Sequence, residues 1–222
     1  GGHGVVINLG GLHSHLVGDT VEAYLRLVLI PLVSELKASG RMVSGVCGNL
    51  PGDVCRRVQS MLPDCLAIGP QTPYDFEALL KYADLLVTSP GSTTILQAIS
   101  LKLPTLLLPP QNLSQILNAQ LYSWPGAPIM QWPASVMTME AVDGLRPQGE
   151  DAALAYIYQS ISDAARSTGA AADVSSTIRS ALCTAPADGV LDPSLANLGQ
   201  KGAAQVAQLI KQALLAPIPR PV

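Results

Sequence analysis

The sequence predicts an α/β protein built on a doubly wound parallel sheet of about six strands, with helices on both faces. Three observations carry that expectation. Short apolar runs of strand length alternate with longer stretches of helical spacing between Gly4 and Leu121. Runs such as Gly4 to Leu9 are apolar but for Asn8, as expected of strands covered on both faces. The run Asp84 to Val87 passes through a Thr-Ser-Pro-Gly-Ser turn into a helical pattern, Ser92 to Ser100, and then into another apolar run, Pro104 to Leu108. Two buried strands joined by one helix form a right-handed crossover, so the turn after Val87 lies at the carboxyl edge of the sheet, where such sheets bind ligands.

In chain order, Gly4 to Leu9 reads as the first strand, followed by Gly10, Gly11 and the loop Leu12-His13-Ser14-His15. Asp19 or Thr20 caps a helix to Ser39, with Leu25, Val28, Leu29, Leu32, Val33 and Leu36 on its apolar face and a bend at Pro31. Gly40 ends it. Arg41 to Cys47 reads as a strand, Pro51 to Met61 as a helix entered through proline, and Cys65 to Ile68 as the third strand. A loop from Gly69 leads into a helix, Tyr74 to Tyr82, which Asp75 could cap. Beyond the crossover, Leu113 to Tyr122 reads as a helix and Ile129 to Gln131 as a sixth strand. Trp132 to Gln148 reads as irregular and suggests no function. Glu150 to Arg166, Ala172 to Leu182 and Gly199 to Leu215 are helical patterns, and a proline-rich tail runs to Val222. The whole reads as one domain, residues 1–222, with an irregular and helical insertion at 131–170 and a terminal helix and tail at 197–222.

At 48% hydrophobic and 13% charged residues, the chain is too apolar to be disordered, and part of its surface is expected to face another domain or subunit. A net charge of −3 with scattered Lys and Arg gives no field to attract nucleic acid. The most apolar stretch, Tyr24 to Val33, is broken by Arg26 and Pro31, so no membrane span is expected. Cys47, Cys55, Cys65 and Cys183 form no C-x-x-C pair and have no His at a ligand interval, so no metal and no cofactor are expected. Reduced thiols in a cytoplasmic protein are the expectation. The opening Gly1-Gly2-His3, without Met, reads as a domain cut from a longer protein.

The turn after Val87 can hold a phosphate: Gly91 lets the backbone approach closely, and Ser92, Thr93 and Thr94 bring hydroxyls and amide N–H groups to a helix start. The alternative is structural, with Ser92 only an N-cap and Gly91 only a turn residue.

The stretch Tyr82 to Leu121 resembles the donor-nucleotide motif of glycosyltransferases with the two-Rossmann-domain (GT-B) fold, which include UDP-sugar transferases and the peptidoglycan N-acetylglucosaminyltransferase. The family pattern is approximately T-H-G-G-S-N-T, V-x-E-A, G-x-P and P-x-x-x-D-Q-x-x-N-A. Thr88, Gly91, Ser92 and Thr94 match its first part, Ala98 and Pro104 its middle, and Pro110, Gln115, Asn118 and Ala119 its end. Ser89 stands where many members have a phosphate-contacting His, Pro90 replaces a Gly, Gln97 replaces the ribose-binding Glu, and Ser114 replaces the sugar-contacting Asp.

The resemblance implies the second, Rossmann-like half of a GT-B fold, binding a UDP- or TDP-type sugar donor for transfer to a small-molecule acceptor. Contacts to nucleotide and phosphate are expected from Gly11, Ser14, Gln71, Thr72, Ser89, Gly91, Ser92, Thr93, Thr94 and Gln97, and contacts to the sugar from Asn112, Ser114 and Gln115. Tyr74 is a further candidate beside the base. His13 is the one candidate catalytic base in this half; otherwise the base is expected in an N-terminal domain or partner subunit. With no D-x-D in the chain, a metal-independent reaction is expected. A sugar-nucleotide epimerase or hydrolase of the same fold is one alternative, although Asp84 is the only acid in the motif. The other is a non-catalytic partner subunit that keeps the fold.

Overall fold

A computed structural model describes residues 4–12, 20–121, 129–184 and 211. His13, Ser14, the proline-rich break at 125–128 and, apart from residue 211, the terminal helix and tail expected over 199–222 lie outside them. Among the described residues, five parallel strands form one sheet: β1 (Val5–Leu9), β2 (Val43–Gly48), β3 (Ala67–Gly69), β4 (Leu85–Thr88) and β5 (Thr105–Leu107). Their order is β3-β2-β1-β4-β5. In β1, Asn8 pairs with Cys47 of β2 on one side and with Thr88 of β4 on the other. The chain runs outward in one direction from β1 to β3 and in the other from β4 to β5, so the topological switch falls between β1 and β4.

The expected sixth strand is a correction. Ile129 makes a single parallel bridge to Leu107, and Met130 N–H donates to Leu107 O at 2.8 Å. The chain then leaves the ladder because Trp132 is drawn into the core, where its Nε1 donates to Pro110 O at 2.6 Å, and Pro133 has no N–H to continue pairing.

Both faces of the sheet are covered. Val5, Ile7 and Leu9 of β1 join one core cluster, and Val6 joins the other. The second cluster is closed by α4 (Pro73–Tyr82) and α5 (Ser92–Leu101) through Leu80, Ile95, Ala98 and Ile99. The first holds α1 (Thr20–Tyr24), α2 (Ile30–Ala38) and α3 (Gly52–Met61), together with α6 (Leu113–Leu121). It also contains α7 (Met139–Leu145), α8 (Glu150–Ala164) and α9 (Thr168–Thr184).

Between α1 and α2 the helix widens into a π-helical turn, Leu25–Leu29, where Ile30 N–H reaches back to Leu25 O. Pro31 explains it: its ring crowds the carbonyl four residues earlier and it brings no N–H, so the bend expected there is absorbed as an i→i−5 turn. Tyr24, Leu25, Leu27, Val28 and Leu29 are all buried, which one sheet face could not achieve. The outer side is covered by α8 and α9, through Ala153, Ile157, Ile161, Val174 and Ile178. The region read as an irregular insertion is therefore part of the same core. Within Trp132 to Gln148 the structure forms α7, whose N-cap Thr138 accepts Ala141 N–H. Its seven residues and the adjacent Pro147 kept the helical pattern too short to read.

Arg179 of α9 grips Glu35 of α2, with Nη2 to Oε1 at 2.7 Å and Nε to both carboxylate oxygens at 3.1 Å. The guanidinium holds the Glu35 carboxyl below its ordinary range. A depressed folded-state pKa stabilises the fold above the unfolded value, and that contribution disappears as pH falls through the folded one. Arg179→Met is therefore expected to melt slightly below the native chain at pH 7, with the two curves converging as pH falls through the depressed range of the folded Glu35 carboxyl. Thermal melts across pH check this; a gap that stays constant into acid would remove the ion pair as its cause.

Candidate functional site

Three chain segments meet at the carboxyl ends of β1, β4 and β5. The first is Asn8–Gly11. Its Gly11 has φ +73°, a conformation suited to glycine, and a Cβ there would come within 3.0 Å of Gln115 Nε2. The second is Thr88–Thr94, and the third runs from Leu108 into the start of α6.

Side-chain amides tie the segments together. Gln111 Nε2 and Gln115 Nε2 both donate to Gly10 O, at 3.1 and 3.0 Å, and Gln115 Oε1 accepts Gln111 N–H at 3.0 Å. Asn118 Nδ2 donates to Pro90 O at 2.9 Å, while its Oδ1 accepts the Ser92 hydroxyl at 2.9 Å. Asn8 Nδ2 donates to Thr88 Oγ1 at 3.1 Å and to Thr94 Oγ1 at 3.3 Å. From behind, the buried Tyr24 hydroxyl donates to Pro109 O at 2.8 Å, and Trp132 holds the next carbonyl. Burial pushes the Tyr24 phenol well above its ordinary range, the nearby Ser89 hydroxyl offsetting this in part, so it remains a proton donor.

Among the described residues, the start of α5 has donors without acceptors. Gly91 is its N-cap, in extended backbone at φ −100°, with no side-chain cap. The first helical bond is Ile95 N–H to Gly91 O at 2.9 Å, so the amides of Ser92, Thr93 and Thr94 have no intrahelical acceptor. No acidic residue sits in the first turn of α5 or α6. The helix dipole and these amides together favour an anion. This excludes the alternative that Ser92 is the cap; Ser92 is the first helical residue, and its hydroxyl is taken by Asn118.

The other expected contacts divide. Thr93 and Ser114 are exposed; Thr94, Gln97 and Asn112 are half-buried near the same edge. Asn112 Oδ1 caps α6 by accepting Gln115 N–H at 2.9 Å, and its Nδ2 lies beside Gly11. Gln115 is buried with both ends of its amide engaged, a clamp between loops. Ser89 is 1% exposed and, although its hydroxyl lies near that of Tyr24, its Oγ makes no hydrogen bond of good geometry among the described residues, so the chain turns this side chain inward where a ligand-contacting residue was expected. Thr72 is the N-cap of α4, accepting Asp75 N–H and donating its hydroxyl to Asp75 Oδ2 at 2.6 Å, and Asp75 thus supports the cap. Gln71 turns back to Gly69 O and lines a groove of about 510 Å³ with Met42, Leu66 and Tyr82 beside the edge strand β3. No hydrogen bond joins Gln71 or Thr72 to the three-segment site among the described residues. Tyr74 is 81% exposed.

Two participants were missed. Asn118 was visible only as a matching position in the motif, and Asn8 only as the one polar residue in the run VVINL. Asp84, the one acid of the motif, accepts Gly4 N–H at 3.0 Å at the amino end of the sheet, at the opposite edge from the site.

Strand order and the meeting of the three segments together define a doubly wound, Rossmann-like α/β protein with a crevice at its switch point. No protein-family model matches the chain, and no curated protein does. Among solved structures it is similar to the spinosyn rhamnosyltransferase SpnG complexed with spinosyn aglycone, at 23% identity over 87% of this chain and 45% of that one, with a TM-score of 0.40. It is also similar to LpCGTa in complex with UDP, at 17% identity over 97% of this chain and 43% of that one, TM-score 0.42. A third is Acinetobacter baumannii MurG, at 18% identity over 79% of this chain and 52% of that one, TM-score 0.39. These neighbours are GT-B glycosyltransferases, the class that the motif resembles. The chain spans about half of each or less. No helix among the described residues is long and apolar enough to cross a membrane.

Proposed function

We propose that this chain is the donor-binding half of a metal-independent glycosyltransferase that moves a sugar from a UDP- or TDP-type donor to a small-molecule acceptor. The observation that carries the reading is the start of α5: three amides at the switch point between β1 and β4 that have no acceptor among the described residues, with no acid in that first turn. As the bond to the sugar breaks, negative charge grows on the departing diphosphate, and donors already aimed at that position stabilise it without reorganising. Gly91, Ser92, Thr93 and Thr94 form this seat. Gln97, one turn further along α5, faces the ribose. Gly11 borders the phosphates, Asn112 and Ser114 border the sugar, and Gln115 ties the loop before α6 to Gly10. The base is His13 or a group of an N-terminal domain or partner subunit.

One observation favours a second reading, a non-catalytic subunit on the same fold: Ser89 and Gln115, two of the expected ligand contacts, are spent inside the protein. A calorimetric screen of UDP, TDP, GDP and CDP separates the readings. Binding of at least one, followed by sugar transfer when the upstream region of the gene product is added, is expected. Failure of all four to bind would leave the partner-subunit reading in place.

A further inference from the structure

We infer that Asn8 is a positioning residue that turns the Thr94 hydroxyl into an obligate proton donor toward the diphosphate. The inference rests on the proposal that a diphosphate sits at the start of α5. The hydrogen bonds around Asn8 permit one orientation only. Thr88 Oγ1 donates its single proton to Ser89 O at 2.9 Å, a carbonyl that can only accept. Thr88 Oγ1 can therefore only accept from Asn8, at 3.1 Å, which fixes the Asn8 amide with its NH₂ toward the threonines. That same NH₂ lies 3.3 Å from Thr94 Oγ1, and its second hydrogen goes there. The Thr94 hydroxyl, accepting from Asn8, cannot point its own proton back, and among the described residues no acceptor receives it.

The placement is built into the sheet. Asn8 pairs with Thr88 in the ladder and stands on the α5 side, the face to which Val6 contributes. Thr94 is in the first turn of α5, among the free amides. A strand side chain thus sets the polarity of a helix-start hydroxyl, adding one donor to a seat made otherwise of backbone. The polar residue interrupting the apolar run of β1 then has a chemical reason.

The test is a double-mutant cycle on the full chain, Asn8→Ala, Thr94→Val and both together, with UDP and uridine affinities measured by calorimetry and folding checked by thermal melts. Thr94→Val is expected to weaken UDP binding by about tenfold, the worth of one hydrogen bond to a charged group, and to leave uridine unaffected. Asn8→Ala is expected to weaken it severalfold, and the double variant no more than Thr94→Val alone. Asn8→Asp, which offers Thr94 an acceptor and reverses its proton, is expected to lose more than Asn8→Ala. Additive losses, or native UDP affinity in Asn8→Asp, would overturn the inference. A ligand-free readout keeps it apart from the function proposal: the Asn8 side-chain NH₂ signals in a ¹⁵N–¹H spectrum should shift in Thr94→Val. Unmoved signals sink the inference even if UDP binds, and shifted signals with no UDP binding to the native chain sink the donor-binding proposal instead.

Discussion

Gly91→Asp is expected to abolish nucleoside-diphosphate binding while the chain melts at the native temperature or slightly above it. Gly91 is an N-cap in ordinary extended backbone, and a Cβ there would meet only Ser89 O at 3.9 Å, an ordinary contact. The fold does not require glycine at this position. Aspartate is a favoured N-cap, so its carboxylate would bond the free amides of Thr93 and Thr94 and steady the helix by a few tenths of a kcal/mol relative to glycine. Those are the amides proposed to hold the phosphate. The variant seals the seat with a tethered anion, and a second anion about 4 Å away meets repulsion of roughly 4 kcal/mol at a surface-like dielectric. That is more than a hundredfold in affinity. Calorimetry with the best ligand, beside a thermal melt, reads both effects. Retained affinity in a folded variant would exclude the start of α5 as the phosphate seat, and lost affinity with a lowered melting temperature would reduce the result to damage.

Trp132→Ala is expected to have the largest effect on stability. The indole is buried, its ring meets Tyr24 edge-on at a centroid distance of 6.0 Å and 78°, and its N–H holds Pro110 O. Emptying such a site costs about 3–5 kcal/mol, which for a chain of this length lowers the melting temperature by roughly 6–20 °C. Pro110 O would also lose its buried donor. Because Trp132 and Tyr24 together hold the carbonyls of Pro109 and Pro110, ligand affinity is expected to fall as well, through the loosened loop before α6. A change of less than about 2 °C would show that the indole is not an anchor of this loop.

The alternation of apolar runs with helical patterns was enough to read five of the strands, the crossover and the carboxyl-edge turn, because local composition dictates those elements. The sixth strand failed for a long-range reason. Whether Ile129 to Gln131 pairs depends on where Trp132 goes, and Trp132 goes to Pro110 and Tyr24, partners distant in sequence. The site divides the same way. Gly91 and the hydroxyls after it are a local signal and stand at a helix start in the structure. Gln115 matches the motif and Ser89 offers a hydroxyl in the register of its His, yet tertiary contacts decide that Ser89 faces inward and Gln115 is consumed as a clamp. Asn8 could not be assigned a role before β1 was placed beside β4 and α5.

The seat at the start of α5 has a further property. Its described members are backbone amides, alcohols and carboxamides, none of which changes charge between the acid and alkaline limits of a folded protein. A site of this kind contributes no titration of its own. Whatever pH dependence its anion affinity shows near neutrality must then come from the ligand, whose terminal phosphate gains its second charge near pH 6, or from a group supplied by another part of the protein. The pH profile of binding thereby separates the seat from the base: an ionisation above that of the phosphate would be the signature of a residue such as His13 entering the site.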